Sequence, residues 1–200
     1  MRPSIVFCLP ALSLGLFLLG CAGVELSPRT LELRSRMTED DALAVLKKYT
    51  GPRPDRAHMC LFQMINGTGI DPNEPVELSG TKLSFTARWG VPIGTEYQQS
   101  GRDTVVVTKY KPMRSRFTVD VRGARQIRVW KSNAKGTAEV LNTWCPGAQP
   151  GHFVLFRAQQ ELPNAMAPTY HVTTDAGLDE LLAALTRLSP SAEIRQGAAL

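Results

Sequence analysis

Histidine and cysteine are scarce in this 200-residue chain, with three His and four Cys, and aromatic residues make up only 7%. Three histidines spread as His58, His152 and His171 have no partner at metal-ligand spacing, such as H-E-x-x-H or H-x-H. His152 and His171, at or near strand starts, read as edge or surface side chains. No G-x-S-x-G elbow is present, and Asn66-Gly67-Thr68-Gly69 lacks the lysine of a phosphate loop and opens no helix, so it reads as a turn. The acid pairs Asp40-Asp41 and Asp179-Glu180 are explained as helix starts, and Asp120 stands alone. No catalytic residue, no metal and no cofactor is therefore expected, and the protein is not expected to be an enzyme. Repeats and low-complexity blocks are also missing, and at 43% apolar and 20% charged the chain is globular rather than disordered. Its length suits one domain with a short appendage.

Charge is absent from Ile5 to Leu19, a stretch that follows Arg2 and is built mainly of Leu, Ile, Val and Phe. This run is shorter than the roughly 20 residues of a membrane-spanning helix, and Pro10 would weaken such a helix. A basic start, an apolar core and a small residue before a cut describe a secretory signal. The following Leu18-Leu19-Gly20-Cys21 resembles the lipobox of bacterial lipoproteins. That resemblance implies removal of residues 1–20 and lipidation of Cys21 with palmitate-type chains, since two or three buried chains anchor stably where one is marginal. Ala22, rather than Asp, implies the outer membrane by the family's usual sorting rule, with the domain facing the periplasm. Residues 21–37 are then expected to be a lipidated tether, 38–188 the globular domain and 189–200 a flexible tail.

With Cys8 lost and Cys21 lipidated, Cys60 and Cys145 remain. In an oxidising envelope a lone pair reads most simply as one disulfide, contributing about 4–5 kcal/mol at the upper end of the chain-entropy treatment. A metal or redox pair would need CxxC spacing, which is lacking.

Thr38-Glu39-Asp40-Asp41 predicts a capped helix start, and Ala42, Val45, Leu46 and Tyr49 give an apolar stripe to about residue 49. From Met59 to about Thr174 the period is two. Expected strands cover 60–65, 83–89, 104–110 ended by Pro112, 117–121, 127–130, 138–144, 152–156 and 169–172. Leu178, Leu181, Leu182, Leu185 and Leu188 then predict an amphipathic helix stopped by Ser189-Pro190. The expected fold is α+β and mainly β: a small antiparallel barrel or sandwich of about seven strands, with an N-terminal helix and a packed C-terminal helix. This order resembles a pleckstrin-homology-like module, through the segment Arg116–Val129 and the run Asp179–Leu188. The resemblance implies a closed barrel plugged by the last helix. The stretch from Asn66 to Gly80 is longer and richer in Pro than a minimal hairpin needs, which departs from that pattern.

Positive charge is unevenly placed. Between Arg102 and Lys135 ten basic residues face only Asp103 and Asp120, a net +8, so the rest of a chain at +5 sums to −3. Lys109, Lys111, Arg114, Arg116, Arg122, Arg125, Arg128 and Lys131 form the candidate patch for an anionic lipid, glycan or protein. A solvated sheet face, with basic residues guarding strand edges, explains the same pattern. The overall charge is far below that of a nucleic-acid binder, so no nucleic acid is expected as partner. These features predict a non-enzymatic, membrane-anchored binding or scaffold module. The rival is a carrier of lipid or lipoprotein with an open barrel cavity.

Overall fold

The computed structural model describes residues 25–50, 59–62, 69–71, 73–131, 150–163 and 166–196. The expected signal peptide 1–20, Cys21, His58, the turn at Asn66–Gly67, the strand 138–144 and Cys145 lie outside these residues. The protein is α+β and mainly strands, arranged as two sheets around three helices.

Helix α1 spans Pro28–Arg36 and α2 spans Glu39–Thr50. The expected capping box forms: the Asp41 N–H donates to Thr38 Oγ1 at 3.1 Å, and the Thr38 N–H donates to Asp41 Oδ2 at 2.9 Å. Helix α1 corrects the expectation of a tether to residue 37. Ser27 caps it by accepting from the Thr30 N–H at 3.0 Å, and Pro28 sits in its first turn, where a missing N–H costs nothing. Helix α3 spans Asp175–Leu188, capped by Thr174, and buries Leu181, Leu182, Leu185 and Leu188.

One sheet contains β1 (Met59–Phe62), β8 (Ala167–Val172), β7 (His152–Ala158), β6 (Ala124–Lys131) and β9 (Glu193–Gln196), in that order. Strand β9 lies parallel to β6, with Ile194 opposite Ile127, which corrects the expectation that 189–200 is a frayed tail. The edge of β6 offers unpaired backbone groups, and the short segment after α3 satisfies them. The other sheet is built on β4 (Lys82–Ser100), which pairs with β2 (Gly69–Ile70), β3 (Glu77–Ser79) and β5 (Asp103–Asp120). The Pro-rich stretch before Gly80 thus supplies two short strands, while β1 pairs with β8 instead of forming a first hairpin with them.

The sheets do not close into a barrel, which corrects that expectation. A single core joins them: Leu83, Phe85, Ala87 and Trp89 of β4, Ile127 and Val129 of β6, Phe156 of β7, Tyr170 of β8 and the leucines of α3. A second cluster of Cys60, Trp130, Phe153, Leu155 and Ala167 lies apart from it. Cys60 is a disulfide cysteine whose partner lies outside the described residues.

Candidate interaction arm

Two strands expected to stop at Trp89 and Pro112 run on. Strand β4 continues to Ser100 and β5 starts at Asp103, so residues 91–112 form a two-stranded arm beyond the core. With a strand rise near 3.3 Å, ten residues on each side reach roughly 30 Å. The sharp Gly101-Arg102 turn closes the tip, with Gly101 at φ +65°, as the primed hairpin turns require. Pro92 and Pro112 are tolerated because β4 beyond Arg88 and the far edge of β5 carry no strand among the described residues, so no ladder bond between described strands is lost. Ile93 is the extra residue of a bulge between Pro92 and Gly94. At the base, Tyr110 packs so closely on Gly90 that a Cβ there would lie 2.9 Å from the Tyr110 Cβ. Trp89 stacks at a tilt on Phe117, ring centres 5.4 Å apart, where the core ends.

Of eight large apolar side chains exposed among the described residues, seven lie on the hairpin between Val91 and Met113. Tyr97 is 74% and Ile93 63% exposed. Side chains alternate, and paired residues share a face. One face of the arm therefore carries Glu96, Asp103, Lys109 and Lys111. The opposite face, with Thr95, Tyr97 and Gln99 across from Thr104, Val106, Thr108 and Tyr110, carries no charge.

An ion network clamps the base of the arm. Asp71 is almost wholly buried, accepting from Arg88 Nη2 at 2.5 Å and Arg114 Nε at 2.7 Å. Arg114 also reaches Glu74 at 2.5 Å, and Arg116 reaches Glu77 at 2.5 Å. Arg88 and Arg114 are cross-strand partners, and Asp71 between them relieves their repulsion. The Arg88 hydrogen bond, then that of Arg114, holds the Asp71 carboxyl well below the usual carboxylate range.

The sequence-predicted basic patch is divided by this structure. Lys109 and Lys111 lie on one face of β5, and Arg114 and Arg116 on the other; Arg122 is on the 3-10 turn Val121–Gly123, and Arg125, Arg128 and Lys131 are on β6 in the other sheet. Among the described residues five of the eight meet carboxylates: Lys109 with Glu96, Arg114 with Asp71 and Glu74, Arg116 with Glu77, Arg122 with Glu39, and Arg125 with Glu161. Arg128 Nε donates to Gln126 Oε1 at 2.7 Å, while Lys111 and Lys131 are exposed. Nearby Arg157 is partly buried, which together with repulsion from Arg128 and Arg125 lowers its pKa.

The histidines correct the surface expectation. His171 is buried, with its ring centre 4.8 Å from that of Phe153, and His152 is buried with Nε2 2.7 Å from Asp175 Oδ1. Among the described residues no three His, Cys, Asp or Glu side chains converge as a metal site. A cleft of about 460 Å³ between α1, α2 and the start of α3 is lined by Arg29, Lys48, His171 and Glu180 together with Leu33 and Thr173. Glu180 there accepts from Lys48 at 2.7 Å and from Tyr49 at 2.9 Å.

No family model matches the chain, and neither a curated protein nor a solved structure does. The sequence reading misses the arm because it ends one strand at Trp89 and takes Pro112 as the end of the next. The signal was present in Ser100-Gly101-Arg102-Asp103, a two-residue Gly-X turn flanked by strand-forming runs.

Proposed function

We propose that this protein is a lipid-anchored envelope lipoprotein that performs no chemistry and docks a protein partner through its hairpin arm. The observation that carries this is the concentration of exposed apolar side chains on a ribbon whose β5 edge bears no strand among the described residues. A two-stranded ribbon alone is marginal in water, and contiguous exposed apolar surface marks interaction sites. Unpaired strand edges are also ready templates for an added strand. The divided and paired basic residues make an anionic surface a weaker candidate partner than a protein one. The Leu18–Cys21 segment supports anchoring, and Ala22 supports the outer membrane. Cys145 is the natural partner for the disulfide of Cys60.

The single core shared by both sheets favours a sandwich-like packing of the body. Of the pleckstrin-homology-like resemblance, this reading keeps the C-terminal helix packed on a mainly β body. A carrier would need an apolar enclosure, and the large cleft, lined by Arg29, Lys48, His171 and Glu180, does not offer one.

The test is site-specific photo-crosslinking in intact envelopes. Probes at Tyr97 and Val106 are expected to yield protein adducts, and a probe at Arg187, exposed on α3, none. Absence of adducts at both arm positions would overturn the docking role.

A further inference from the structure

We infer that the partner docked by the arm is a second copy of this chain, joined edge to edge through β5 in antiparallel register centred on Val107. This rests on the docking role above and names its occupant. In that register Asp103 faces Lys111 of the other copy, Thr104 faces Tyr110, Val105 faces Lys109, Val106 faces Thr108, and Val107 faces itself. Asp103 and Lys111 lie on one face of the strand, both exposed and neither in an ion pair among the described residues. Two-fold pairing makes their charge match twice. Lys109 already holds Glu96 across its own hairpin, so it does not compete for Asp103.

The window is also bounded. At the tip the chain turns at Gly101-Arg102, and at the base Pro112 withholds a backbone N–H. Nine residues, Asp103 to Lys111, fill the space between, and the segment Thr104–Thr108 has high strand propensity with no charge to repel an incoming edge. The product is a four-stranded sheet on which Val106, Tyr97 and Tyr110 of both copies share one uncharged face. Hydrocarbon is a poor alternative occupant, because open edges would carry unsatisfied backbone groups into it.

Single cysteines at positions 105, 106, 107 and 108 of the full-length chain, oxidised mildly in vesicles, test the register. V107C is expected to give the most cross-linked dimer, because only that residue opposes its own copy. In detergent, D103K is expected to raise the dimer dissociation constant roughly tenfold, as two attractive pairs become repulsive. K111D is expected to act likewise, and D103K with K111D to restore pairing. Cross-linking that peaks elsewhere, a monomer unchanged by these variants, or Tyr97 adducts made only to a different protein or to lipid would each overturn self-pairing. Protein adducts to a different chain would leave the docking role standing, whereas no adducts at all would remove both.

Discussion

At the scale of single residues, Asp71 carries the most consequence for the least exposure. It lies under Arg88 and Arg114, which face each other across β4 and β5. Because the pKa of Asp71 is lower in the folded chain than the ordinary value near 3.9, the unfolded chain binds the proton first on acidification. Its contribution to stability is therefore complete above about pH 4 and lost as pH falls through the folded value. D71N is expected to lower the urea midpoint at pH 7 and to flatten the decline between about pH 4 and pH 2. Urea titrations at a series of pH values check both. An unchanged midpoint with an unchanged acid limb would show that the clamp does not hold the base of the arm. The sequence offered no view of this cluster, because Asp71 and its partners are separated by 17 and 43 residues and meet only after β2 pairs with β4.

At the scale of elements, α1 shows how far a local reading reaches. Residues 21–37 read as a polar tether, yet the Ser27 and Thr30 hydroxyls donate to Asp179 Oδ1 at 2.6 and 2.7 Å and fasten the helix to the second turn of α3. Loss of two such charge-assisted bonds in D179A is expected to cost about 2 kcal/mol of local stability, so that trypsin cuts after Arg29, Arg34 and Arg36 roughly 30-fold faster. Mass spectrometry of limited digests measures this, with rates elsewhere in the chain as the control. Elements with strong internal signals were legible. The capping box of α2, the leucine stripe of α3, the alternation of β4 and β6 and the position of β7 all recur in the structure near their expected places. Elements that depend on a distant partner were not. Strand β9 has no period of its own and forms on the open edge of β6, and Pro112 ends a strand only when its missing N–H faces another strand. Of the candidate site, the basic residues were visible in the sequence, but the carboxylates that pair with them come from α2, from the segment between β2 and the start of β3, from β4 and from the segment after β7.

For the whole molecule, the docking of α1 bears on how the proposed lipid anchor and the proposed docking arm act together. If Cys21 carries the lipid, only residues 22–27 separate it from Pro28. Six residues at full extension span about 20 Å, so the body is held near the headgroups rather than standing off them. Confinement of copies to one surface at a common height raises their effective concentration, which strengthens a weak edge-to-edge pairing without any new contact. The anchor and the arm are then parts of one device. Accordingly, C21S is expected to abolish palmitate labelling and to move the protein from the membrane to the soluble fraction. At equal total amount it is also expected to lower V107C cross-linking, because dimers must now form in three dimensions. Labelling and fractionation that do not change in C21S would remove the lipid anchor. Cross-linking that persists at the same yield in the soluble protein would show instead that the β5 edges pair tightly enough to need no confinement.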